Sequence, residues 1–177
     1  MKNFKAEQAI SEKTIEKYAG VVPEQVVAIW KSQGVGTMID GYLKVIDPME
    51  FEDILEESYI RFETAVPLFA TAMGDLIVWE KNKYLNLLNF RRGTVNVIES
   101  GFEFFLDDLA DKEFLDEELD WKPYENVVEV LGEPAYDECF GYVPLLALGG
   151  SEKVENLQKV KLREHILLIS ALAGKIE

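Results

Sequence analysis

The sequence predicts an α+β fold in which a central antiparallel meander sheet is flanked by helices and a C-terminal helical and extended part packs onto it. Three observations lead there. Apolar runs of strand character, broken by turn residues, are concentrated in one block, residues 68–99. Helical periods of three and four lie on both sides of that block, whereas a parallel βαβ chain would alternate them with single strands. The 177 residues are 48% hydrophobic, and a chain of this length hides roughly 70% of the surface its unfolded form exposes, so it can build a core without disulfides or a structural metal.

The elements follow in order. In SEKTIEKYAGVVPEQVVAIWKSQG, Ser11 is placed to cap a first helix and Gly20 to stop it. Pro23 suits the first turn of a second helix, and Gly34 ends that one. GYLKVIDPMEFEDILEESY reads as a short strand running into a third helix. Asp47 and Glu50 have capping-box spacing around Pro48, and Phe51, Ile54 and Leu55 share one face. The strand block comes next, with Leu76 and Val78 on one face of a strand, Ile77 and Trp79 on the other, and Asn82 and Gly93 at the breaks. From Ser100 the helical period returns through FEFFLDDLADKEFLDEELDW and PYENVVEVLG. The last helix is LREHILLISALAGKIE, with Leu162, Ile166, Ile169 and Ala173 as its expected core stripe and Gly174 near its end. No internal repeat or low-complexity linker interrupts the chain.

Charge and cysteine content exclude several functions. Thirty-three acidic against 18 basic residues give a net charge of −15, which argues against direct binding to nucleic acid or anionic membranes, since both need lysine and arginine surfaces. A partner chosen by electrostatics should be basic. The N-terminal MKNFKAEQAISEKTIEKYAG has no apolar signal region, and no window approaches eighteen apolar residues, so a soluble, cytoplasmic protein is expected. Cys139 is the only cysteine and His165 the only histidine. A nucleophilic cysteine needs a lowered pKa and a base within reach, yet Cys139 follows Asp137 and Glu138, which raise a thiol pKa, and precedes apolar Phe140. The residues therefore favour a packed thiol and a packed histidine bonded to a carbonyl or carboxylate over a small cysteine hydrolase. One histidine and one cysteine cannot make an all-nitrogen/sulfur zinc site, and Gly149-Gly150-Ser151 alone is no phosphate loop. No cofactor, metal or catalytic residue is expected.

The stretch EPAYDECFGYVPLLALGGSEKVENLQKVKLREHILLIS carries a longer pattern. Its Gly-Tyr-Val-Pro run, its Ala147-Leu148-Gly149-Gly150 turn and the following LQKVKLREH resemble the C-terminal domain of Tdi-type immunity proteins of type VI secretion systems. Upstream, VPEQVVAIWKSQGVGTMIDGYLKVIDP with GDLIVWE is similar to the GAD-like domain that precedes it in that family. The resemblance implies a GAD-like part over 1–105 and a Tdi-type part over 106–177. It also implies a non-enzymatic antidote that binds a cognate toxin, a DNase for the Tdi type. The N-terminal half is similar as well to the SUKH immunity superfamily, which keeps open a general binding module whose partner is not a nuclease.

An acidic protein can compete for the cationic groove of a nuclease and be steered to it. The candidate surface lies between Glu103 and Glu125, where ten acidic residues face two lysines. It includes Asp107, Asp108, Asp111, Asp116, Glu117, Glu118 and Asp120, backed by an inward face of Phe104, Phe105, Leu109 and Leu115. Asp137 and Glu138 form a second acidic candidate. The alternative for all of these is the solvated face of ordinary amphipathic helices.

Overall fold

A computed structural model describes residues 3–177. The chain runs through β1 (Lys5–Gln8), α1 (Glu12–Tyr18), α2 (Glu24–Gln33), β2 (Val35–Met38), β3 (Leu43–Val45), α3 (Glu52–Ser58), β4 (Ala65–Thr71), β5 (Leu76–Glu80), β6 (Tyr84–Asn89) and β7 (Thr94–Ser100). It continues through α4 (Phe105–Asp108), α5 (Lys112–Glu118), α6 (Lys122–Leu131), β8 (Glu138–Tyr142), β9 (Leu157–Lys161) and α7 (Leu162–Ala173). Strands β1 to β7 form one antiparallel sheet in sequence order, and β8 and β9 form a separate antiparallel pair. The expected α+β meander is present, and β1 and β2 extend it beyond the block that the strand pattern reveals.

Local chemistry explains most boundaries. Ser11 caps α1 by accepting the Lys13 N–H, and Asp47 accepts the Met49 N–H at 3.0 Å at the start of the turn leading into α3. Gly34 closes α2 with a φ of 75°. The β5–β6 turn places Lys81 and Asn82 at φ of 55° and 52°, the left-handed geometry that matches the twist of a tight hairpin. Alternation along β5 then assigns the faces. Ile77 and Trp79 join the larger apolar cluster with Trp30 of α2, Phe105 of α4, Leu115 of α5 and Tyr124 of α6. Leu76 and Val78 join the smaller one with Ile54 of α3 and Leu162, Ile166 and Ile169 of α7. The central strands are thus covered on both faces, while the edge strand β7 is largely exposed.

Three expectations need correction. The acidic helical region is broken between α4 and α5, because Asp111 is extended (φ −92°, ψ 119°) and its carboxylate accepts the Glu113 N–H at 2.9 Å, starting a new helix. Phe104 stands outside the core at 70% exposure, since it precedes the short α4 and not its inward face. Ala173 is exposed at the end of α7, where the buried side is completed by His165.

Candidate interaction surfaces

The segment from α4 to α6 is held against the sheet by aromatic side chains. Tyr42, just before β3, packs edge-on to Trp121 with centroids 4.7 Å apart, and its hydroxyl donates to the Leu119 carbonyl. The Tyr124 hydroxyl donates to the Asp40 carbonyl at 2.6 Å, tying α6 to the β2–β3 turn. Gly41 in that turn has a φ of 85°, and a Cβ there would lie 2.9 Å from Glu133 Oε2 and 3.0 Å from the Tyr124 hydroxyl. Backbone conformation and close approach both require glycine at this junction.

On this frame the nine acidic candidates separate into two groups. Asp107, Asp111 and Glu117 are exposed, Asp108, Asp116 and Glu118 half-buried. Asp108 faces Glu99 on β7, whose carboxyl is pushed up to about 6, first by burial and then by the neighbouring Asp108 charge. Three others are engaged within the protein. Asp120 Oδ2 lies 3.0 Å from both Arg91 Nη2 and Arg92 Nε. Asp137 accepts from Lys161 at 2.7 Å, which holds its carboxyl below the usual range. Glu138 accepts the Ala135 N–H at 3.0 Å. Beside these two, the buried Lys44 donates to the Ala135 carbonyl at 2.9 Å, and burial lowers its pKa to about 8. The outward carboxylates therefore belong to α4 and α5, and the exposed Phe104 stands among them, a position the helical period had turned inward.

Cys139 and His165 both lie beside Gly74, buried in the core. A Cβ on Gly74 would touch Cys139 Sγ at 3.3 Å and His165 Cδ2 at 3.4 Å, and one on Gly141 would press into the imidazole 2.5 Å from Cε1. Burial pushes the Cys139 thiol up to about 12, leaving almost no thiolate at neutral pH. Burial, with Arg91 adding to it, lowers the His165 pKa. The histidine makes no side-chain hydrogen bond with a described residue, in contrast to the carbonyl or carboxylate expected. Among the described residues no group of three or more His, Cys, Asp and Glu side chains is placed to hold a metal, and no helix is long and apolar enough to cross a membrane.

Comparison with known proteins agrees with this architecture. Residues 1–89 match the GAD-like domain family, and residues 99–173 match the family described as T6SS immunity protein Tdi1, C-terminal. Among solved structures, the crystal structure of Atu4351 from Agrobacterium tumefaciens is similar in fold, with a TM-score of 0.78 at 18% identity over 97% of this chain and 86% of that one. No curated protein matches the chain.

Proposed function

Since the chain belongs to the GAD-like, Tdi1-type family of type VI secretion immunity proteins, we propose that it neutralises a cognate DNase effector by occluding that effector's cationic substrate surface. The observation that carries this reading is the joining of both family domains in one chain of net charge −15. A nuclease must display cations to hold phosphates, so an acidic competitor acquires both fast association and a fit to the groove. The contact surface proposed is the outward side of α4 and α5, with Asp107, Asp108, Asp111, Asp116, Glu117 and Glu118. Asp120 adjoins it within its pairs to Arg91 and Arg92, and Asp137 and Glu138 remain a second, separate acidic candidate. The protein acts inside the producing cell, without catalysis, cofactor or nucleic-acid contact of its own.

Co-expression with the product of the adjacent gene, purification of the complex and a DNA-degradation assay test the reading. A stable complex with suppressed DNase activity is expected. Asp107→Lys with Asp108→Lys should slow association, most at low salt, and leave folding nearly unchanged. A complex formed at the same rate by this double variant removes the acidic face from the interface; DNA degraded as fast with the protein as without it defeats neutralisation, and an effector that leaves DNA intact defeats the DNase assignment.

A further inference from the structure

The β2–β3 turn and α4 enclose a groove of about 430 Å³ on the same side of the sheet as the acidic helices. Its walls are Met38, Ile39, Leu106, Leu109 and Ala110, with polar Asn3 at one side and Asp107 on its rim. No lysine, arginine or histidine is among its described lining residues. Asp107 is exposed and makes no ion pair with a described residue. The groove thus combines a mainly apolar trough with a carboxylate at its mouth that no described cation pairs. Long basic side chains match both parts, since their methylene stems bury along apolar surface while the head stays at a polar edge.

We propose that this groove receives a lysine or arginine side chain of a basic protein partner, with the stem lying along Met38, Ile39 and Leu106 and the head bonded to Asp107. A second copy of this chain would bring another −15 of charge to the same rim, and an acidic partner would meet the same repulsion. The groove also lies where the two family segments meet, because Met38 and Ile39 belong to the first and Leu106 to Ala110 to the second. The proposal adds an anchor to the acidic surface, which by itself would steer many basic proteins alike. That the partner is the toxin rests on the immunity reading above, whereas the chemistry of the groove does not.

The test is a titration of the full chain with n-butylguanidinium, followed by amide chemical shifts, with 1-pentanol as the uncharged match. Saturable shifts are expected at Met38, Ile39, Leu106 and Leu109. The alcohol should bind about fivefold more weakly or worse, because a charge-assisted hydrogen bond is lost. Asp107→Asn should weaken guanidinium binding by a similar factor, and Ala110→Trp, placed at an exposed position, should abolish it by filling the trough. Equal binding of the alcohol, shifts centred elsewhere, or indifference to both substitutions overturns the proposal. In the toxin complex, Ala110→Trp should raise the dissociation constant about tenfold while Glu57→Gln, on α3 across the sheet, leaves it unchanged. A wild-type complex insensitive to Ala110→Trp and Asp107→Asn overturns the groove alone. Absence of any wild-type complex overturns the immunity reading and leaves the titration to decide the groove.

Discussion

Replacing Arg91 by methionine should destabilise the protein in a way that depends on pH, and the structure sets the size. Arg91 is almost fully buried, and its Nη2 lies 2.9 Å from Asp75 Oδ2 and 3.0 Å from Asp120 Oδ2. It thereby fastens the turn between β4 and β5 to the start of α6. Burial pushes the Asp75 carboxyl up to about 6 even with Arg91 opposing it, against an unfolded value of about 4. Without Arg91 the folded value rises further. A group raised in the fold contributes its full stability below the unfolded pKa and loses it as pH rises through the folded one. The wild type can ionise Asp75 above pH 6 and the variant cannot, so their difference should grow by about 1.4 kcal/mol per pH unit between roughly 6 and 8. Below pH 5 a residual cost of about 1 kcal/mol is expected, from the lost bond to Asp120 and imperfect repacking. Urea denaturation at pH 5, 6, 7 and 8 measures this directly. Adding Asp75→Asn to the variant should remove the slope, because no buried charge remains to be stranded. A cost independent of pH, or a slope that survives Asp75→Asn, refutes the assignment of Asp75 as the linked group.

Two further outcomes follow from the same site chemistry. Cys139 should resist a soluble disulfide reagent in the native protein and react as one thiol per chain in denaturant; rapid labelling of the folded state would contradict its burial and revive the hydrolase alternative. Asp108→Asn should lower the Glu99 titration midpoint, followed by carboxyl NMR, from about 6 part of the way to the usual range, since burial is the larger cause and remains. An unchanged midpoint would show that Asp108 does not bear on it.

What the sequence revealed depended on how local the determining physics was. Ser11, Gly34, Asp47 and Asn82 act within a few residues, so the helices and the β5–β6 turn could be placed from them. Strands β1 and β2 could not, because Lys5–Gln8 is exposed along its length and Val35–Met38 is a four-residue strand with glycine at its second position; each is a strand only through its neighbour. Phe104 misled for a similar reason. Read as one continuous helix, the stretch turns Phe104 inward with Leu115, whereas the helix begins only after Phe104 and is broken again at the Asp111 cap. The acidic candidates were visible as composition, but their division into outward and internally bonded groups needed Arg91 and Arg92 brought from the β6–β7 turn and Lys161 from β9. The groove was invisible, since Met38 and Leu106 are neighbours only in three dimensions.

If the proposed surface is the interface, the residues that carry the family pattern and those that meet the toxin are different residues. The Gly-Tyr-Val-Pro stretch is recognisable because its leading residues are buried. Gly141 admits the His165 ring, the Phe140 N–H donates to the Ala72 carbonyl at 2.7 Å, and Tyr142 is packed in the core. Such positions cannot touch a partner, and altering them costs folding energy. Asp107, Ala110, Glu117 and Phe104 are exposed and bear little of the fold, so substitutions there should change stability by only about 0.5 kcal/mol. A surface free to vary at that cost can be retuned from one toxin to another while the sheet beneath it stays fixed. An interface built on α4, α5 and the adjoining groove has that freedom.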